Sequence, residues 1–192
     1  MQIVSTERIL LRTWQESDLL PFTKMNADEE VMRYFPNTLT PEETAALVEC
    51  IETHIGLYGF GLWAAELKET NAFIGFIGLS IPTFSAPFTP CVEIGWRLAR
   101  PYWRQGLATE GAKAVLAYGF GHFKLDEIVS FTTIHNQRSR RVMEKIGLIH
   151  HPEDDFIHPN LALDHALSQH VLYRLSYKRW QQCVTKDNVG QG

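Results

Sequence analysis

R-P-Y-W-R-Q-G-L-A-T-E-G-A-K-A-V-L-A-Y-G-F, residues 100–120, sets a short basic turn containing a glycine directly ahead of an alanine-rich stretch. Ala108, Ala112, Val115, Leu116 and Gly119 recur at helical spacing on one small-sided face. A helix over about 107–120 is therefore expected, closed by Gly121 and lying close against a sheet. Its first N–H groups and the positive end of its dipole would meet at the Arg104–Gly106 turn, which suits an anion. A plain corner would use the same glycine. The turn is neither G-x-x-x-x-G-K-[ST] nor G-x-G-x-x-G, so the two common nucleotide loops are excluded.

Outward from this helix, Cys91–Leu98 and Glu127–Thr133 read as strands, and Asn136–Ile146 as a second helix closed by Gly147. The order strand, turn, helix, strand, helix implies parallel pairing across a right-handed crossover. Leu62–Leu67 and Ala72–Ile81 add a hairpin across Lys68–Asn71, which makes the sheet mixed. The expected class is α/β (α+β by some schemes): a mixed central sheet flanked by helices. Thr40-Pro41-Glu42-Glu43 carries an N-cap threonine, a proline at the first helical position and a glutamate at the third. Apolar residues recur behind it as far as Tyr58, so a helix should run to the Gly59–Gly61 break. Arg8–Trp14 suits a strand, Ser17 or Asp18 could cap a short helix to about Asn26, and Ala27–Tyr34 a further helical turn. Gln169–Ser176 suits a late strand. Residues 1–184 read as one domain and 185–192 as a disordered tail.

Composition narrows the function. Apolar residues make up 45% of the 192 and charged residues 21%, as in ordinary globular proteins. The net charge of −4 argues against a nucleic-acid surface but leaves small anions open. Cys50, Cys91 and Cys183 lack metal-ligand spacing and read as reduced thiols, and the eight histidines form no H-E-x-x-H, so no metal is expected. No apolar run approaches the ~20 residues that span a bilayer. A cytoplasmic protein with no membrane partner is expected, as a monomer or homodimer.

With these elements in place, the sequence resembles the GNAT family of acyl-CoA-dependent N-acetyltransferases, and within it the RimJ/RimL-like branch. Trp103-Arg104-Gln105-Gly106-Leu107-Ala108 matches the family's pyrophosphate turn, with Trp103 departing from the usual first residue. Glu93–Leu98 (E-I-G-W-R-L) resembles the family's central splayed strand. Asn136 to Gly147 resembles the branch's N-x-x-S-x-x-x-x-E-K-x-G segment. Thr6-Glu7-Arg8 near the start and His170–Tyr173 near the end extend the likeness over almost the whole chain.

The resemblance implies a single GNAT domain with acetyl-CoA as cosubstrate and an amine as acceptor, either a protein N-terminus or a small molecule. It places the pyrophosphate on Arg104, Gln105, Gly106, Leu107, Ala108 and Thr109. The pantetheine arm would add to the sheet beside Trp96, Arg97 and Leu98, where that strand parts from 127–133. Asn136 would bond pantetheine amides, although asparagine there also serves as a helix N-cap. Ser139 would come near the thioester sulfur, although a mid-helix serine often only bonds its own helix.

Acetyl transfer to nitrogen needs a neutral amine, a donor for the oxyanion and a proton for the departing thiolate. Glu93 is the candidate base or water-positioner, with pairing to an arginine as its alternative. Many family members place a proton-donating tyrosine where this chain has Met143, which shifts the acid role to Ser139 or to water. A non-catalytic acyl-CoA-binding module stays open for that reason. Trp14, Phe35, Trp63, Phe84 and Phe88 could wall the acceptor site, and Glu153-Asp154-Asp155 could draw a cationic amine towards it.

Overall fold

The Arg104–Gly106 turn does open a helix, α4 (Leu107–His122). Its buried face is Leu107, Gly111, Ala112, Val115, Leu116, Gly119 and Phe120, with Ala108 only half-buried. Gly111 sets the closeness of packing: a Cβ there would lie 2.4 Å from Ile77 Cδ1. The computed structural model describes residues 1–189, in two compact units.

The first unit is Met1–Ser80 with Ile94–Val115. Its strands are β1 (Gln2–Ser5), β2 (Ile9–Arg12), β3 (Leu62–Leu67), β4 (Ala72–Ser80) and most of β5 (Glu93–Leu98). β1 to β4 pair antiparallel in sequence order, with Ser5 opposite Leu10, Leu10 opposite Glu66 and Trp63 opposite Ile77. Beyond β4 comes β5, tied by the Ala99 N–H donating to the Ile74 carbonyl at 2.9 Å.

Helices α1 (Glu16–Asn26), α2 (Glu29–Met32) and α3 (Pro41–Tyr58) belong to this unit. In α3 the expected box is present: Thr40 Oγ1 accepts from Glu43 N at 3.2 Å, and Glu43 Oε2 accepts from Thr40 N at 2.8 Å. The helix ends at Gly59 in the left-handed conformation. The cap of α1 is Gln15 and not the expected Ser17 or Asp18, because Asp18 works from inside the first turn. Its carboxylate accepts from Gln15 N and meets Arg12 at 2.6 and 2.8 Å. Trp14, Phe22, Met25, Val31, Ile51, Ala64 and Phe76 pack as the core beneath these helices.

The second unit is Ile81–Glu93 with the described residues from Leu116 onward. β6 (Glu127–Thr133) pairs antiparallel with β9 (Gln169–Ser176) over seven positions, from Glu127 opposite Ser176 to Thr133 opposite His170. Two short strands, β7 (Ile149–His150) and β8 (Phe156–Ile157), also pair with β9. The expected parallel pairing is limited to the start of β5, where Glu93 lies opposite Val129.

α5 (Gln137–Lys145) follows β6, and α6 (Tyr177–Val189) follows β9. The tail is expected from residue 185, and α6 runs to Val189. Trp180 packs on Phe120, with ring centroids 5.2 Å apart, and so anchors that helix. Residues 190–192 of the expected tail lie outside the described residues. Among the described residues no helix is long and apolar enough to cross a membrane.

Candidate active site

The first unit supplies the turn. Arg104 and Gly106 take left-handed backbone conformations, at φ 61° and 80°. The first bond of α4 runs from Glu110 N to Gly106 O at 3.0 Å. The N–H groups of Leu107, Ala108 and Thr109 therefore have no acceptor within the helix. A Cβ at Gly106 would find only Arg8 Nη2 within 4 Å, at 3.5 Å, so the turn is open on that side. Gln105 closes it from below, its Nε2 donating to the Pro101 carbonyl at 2.7 Å. A cleft of about 430 Å³ beside the turn sets Arg8 and Lys68 against Glu7 and Glu69, so its charges cancel.

A brace that no local pattern announces holds the turn. Glu110 Oε1 accepts from Thr6 Oγ1 at 2.6 Å and from Arg8 N at 2.9 Å. Oε2 accepts from Arg8 Nε at 2.7 Å and meets Nη2 at 2.6 Å. Arg8 Nη1 then donates to the Gln105 carbonyl at 2.9 Å. Burial pushes the Glu110 carboxyl up, but the Thr6 and Arg8 hydrogen bonds outweigh it and the net shift is downward.

Trp96, Arg97 and Leu98 lie on β5 with alternating backbone direction. Ala99 donates to β4 and the Arg97 carbonyl lies against Gly75 of β4, so the odd-numbered backbone groups face that strand. Those of Trp96 and Leu98 point the other way. The Leu98 carbonyl accepts from Trp103 Nε1 at 2.6 Å, which ties the strand end to the turn and gives Trp103 its place. The Arg97 side chain runs into the first unit, where Nη1 donates to Asn26 Oδ1 at 2.7 Å.

In the second unit Asn136 caps α5. Its Oδ1 accepts from Ser139 N at 3.2 Å, and its Nδ2 donates to Thr132 Oγ1 at 3.0 Å. Ser139 is half-buried, and among the described residues no hydrogen bond turns its hydroxyl back onto its own helix. Met143, one turn on, is 1% exposed and belongs to the core. Arg140 is drawn inward, donating to Tyr173 Oη and the Ile134 carbonyl, both at 3.2 Å. Glu93 is half-buried at the start of β5, opposite Val129. Its charge helps raise the Cys91 thiol to about 11, after burial as the main cause.

The expected aromatic wall divides. Trp14 and Trp63 are core, while Phe35 is 39% exposed and stacks on Arg97. Phe84 and Phe88 join a half-buried ring cluster in the second unit, Phe84 with His158 at 4.7 Å and Phe88 with Phe156 at 4.8 Å. The acidic stretch expected to attract a cation is already engaged. Asp154 meets Arg174 and Asp155 meets His150, both at 2.7 Å. Among the described residues no histidine, cysteine and carboxylate cluster is arranged to hold a metal ion.

The model of the acetyltransferase (GNAT) domain matches residues 8–149. The chain is a GNAT acetyltransferase. It is 34% identical over 144 residues to the uncharacterized protein YkkB of Bacillus subtilis, covering 74% of this chain and 83% of that one. The uncharacterized N-acetyltransferase YoaA of the same organism is 29% identical over 148 residues, covering 76% and 81%.

A GNAT-family acetyltransferase from Bacillus anthracis superposes with a TM-score of 0.73 at 28% identity, over 91% of this chain and 98% of that one. A spermidine N-acetyltransferase from Vibrio cholerae, solved with CoA and spermine, shares the fold at a TM-score of 0.71 and 17% identity, over 92% and 99%. This GNAT acetyltransferase therefore has the family's single-domain fold, a mixed sheet with one parallel pair flanked by helices. It is an acyltransferase.

Proposed function

We propose that this acetyltransferase transfers the acetyl group of acetyl-CoA to the α-amine of a protein N-terminus, in the cytoplasm, as a member of the RimJ/RimL-like branch. The observation that carries the reading is the turn. Two left-handed residues, Arg104 and Gly106, leave three N–H groups of α4 free of helical acceptors. They suit a pyrophosphate, and backbone groups of Trp96 and Leu98 that face away from β4 suit the amides of a pantetheine arm.

The reaction is a direct attack in a ternary complex. The amine lone pair forms the C–N bond at the thioester carbonyl, and the oxyanion takes a hydrogen bond from backbone N–H near Leu98. The C–S bond then breaks, and the thiolate takes a proton from water, either directly or through Ser139, whose hydroxyl is reprotonated from that water. The nitrogen gives its proton to Glu93, directly or through water. An α-amine of pKa ~7.7–8.0 is roughly a tenth neutral at pH 7, against about one part in a few thousand for a lysine. The α-amine thus asks little of its base. The engagement of Asp154 and Asp155 within their own unit also speaks against a strongly cationic acceptor.

The test is release of free thiol from acetyl-CoA with N-terminal peptides, polyamines and amino acids as acceptors, alongside a melting scan. Acetyl-CoA should raise the melting temperature by mass action, and ATP far less at equal concentration. Equal stabilisation by ATP would overturn the cofactor, and faster turnover of polyamines than of peptides would overturn the acceptor.

A further inference from the structure

Among the described residues, two arginines that turn inward meet no carboxylate: Arg140, whose hydrogens go to Tyr173 Oη and the Ile134 carbonyl, and Arg97, which lies against aromatic rings. Arg12 meets Asp18 and Glu66, and Arg174 meets Asp154 and Glu127. Arg97 meets no carboxylate among the described residues. Its Nη1 donates to Asn26 Oδ1, and Asn26 is itself held by Nδ2 donating to Thr44 Oγ1 at 3.3 Å. The guanidinium lies 4.1 Å from the Phe35 ring centroid and 5.3 Å from that of Phe76. Nε is out of contact with solvent and makes no hydrogen bond.

Burial lowers the Arg97 pKa to about 10, which still leaves it charged at neutral pH. A buried cation is expensive unless an anion or π-face offsets the lost hydration, and two rings do so only in part. The Nε and Nη2 hydrogens form the edge of arginine that receives a carboxylate in bidentate fashion. Here the group is already oriented by Asn26 and lies against two rings. Phe35, one of these rings, stands in the connection between α2 and α3 and is 39% exposed.

We propose that Arg97 is a specificity residue that receives a carboxylate of the acceptor. This rests on the reading of the protein as an N-acetyltransferase and names its substrate class further. Arg97 shares its face of β5 with Glu93 by two-residue alternation, four residues or roughly 13 Å along the strand. The amine and the anion of the acceptor are therefore separated by several bonds. An N-terminal α-amine followed at the second or third position by aspartate or glutamate meets that requirement.

The experiment compares short peptides beginning Ala-Asp or Ala-Ala-Glu with their Asn and Gln counterparts, following thiol release from acetyl-CoA. The wild type should favour the acidic member roughly tenfold or more in kcat/KM, mostly through KM. Arg97→Met should bring the acid-to-amide ratio to about one, and Arg97→Lys should restore part of it. Equal turnover of acidic and amide peptides by the wild type overturns the proposal and needs no variant that must fold. A preference that survives in Arg97→Met overturns it too. Absence of thiol release with every amine overturns the acetyltransferase reading itself, whereas indifference to the carboxylate overturns only the role of Arg97.

Discussion

Glu110 stands in the first turn of α4, where its charge would compete with a bound pyrophosphate for the positive end of the helix. Arg8 answers that conflict with two hydrogens on the carboxylate and a third bond to the Gln105 carbonyl, so one side chain both neutralises Glu110 and holds the turn. Arg8→Ala should raise the KM for acetyl-CoA about tenfold at low salt while kcat changes much less. Arg8→Ala with Glu110→Gln should recover much of that loss, because the unpaired carboxylate is gone. A double variant no better than Arg8→Ala alone would mean that shape, not charge, is what Arg8 supplies. Gly106 tests the turn from the other side. Its φ of 80° strains a β-branched residue, although the protein leaves room for the side chain. Gly106→Val should keep the fold and weaken CoA binding by about tenfold or more, roughly 1.4 kcal/mol. Unchanged affinity, measured by calorimetry on a folded variant, would make the turn a corner only.

At the scale of elements, α5 couples stability with the expected chemistry. Asn136 caps the helix, so Asn136→Ala should cost about 1 kcal/mol of stability whatever it does to binding. Asn136→Ser preserves the cap. If its melting temperature holds while the KM for acetyl-CoA rises, the amide contacts the coenzyme, and if both hold, Asn136 is a cap alone. Ser139→Ala should lower kcat by a factor at or below the usual 10²–10⁴ for proton assistance, since a thiolate leaves tolerably unaided. Glu93→Gln should cost most near neutral pH, and a rate profile equal to wild type from pH 6 to 9 would remove Glu93 from the mechanism. The elements that sequence made legible are those with local punctuation: Thr40 to Glu43 opens α3, Gly106 opens α4 and Asn136 opens α5. β1, β7 and β8 are two to four residues long, too short for a periodicity to announce them, and β7 and β8 pair only with the later strand β9. α6 did carry a signal, since Tyr177, Trp180 and Cys183 recur every three residues, and Tyr177 and Trp180 pack against Phe120. The brace from Arg8 to Glu110 spans 102 residues, which is why dipole alone suffices to account for Glu110 from the sequence. Arg97 is hidden for a related reason, because its anomaly is a missing counter-charge and only packing shows that.

For the whole molecule, histidines held neutral by burial make stability depend on pH in a stated direction. His170 on β9 packs 5.0 Å from His158, ring to ring, amid Phe131 and Phe156. Burial lowers its pKa to about 4, with the charge of His158 adding to the fall and a hydrogen bond to the Ser168 carbonyl opposing it. Burial lowers His158 as well. Above pH ~6.5 the imidazole is neutral in the folded and the unfolded chain, and it contributes no pH dependence. Between ~6.5 and 4 the unfolded chain binds a proton that the folded chain refuses, so stability falls as the pH falls through that window. The melting temperature should therefore decline from pH 7 to pH 5.5. His170→Gln removes a titrating group from the cluster and should flatten that decline while shifting the neutral-pH value by a smaller amount. Melting curves at half-unit intervals for both proteins decide the matter. Parallel slopes would show that the ring cluster opens and admits the proton before the chain unfolds. A flattened slope would show that Phe131, Phe156 and the two histidines melt as part of the cooperative fold.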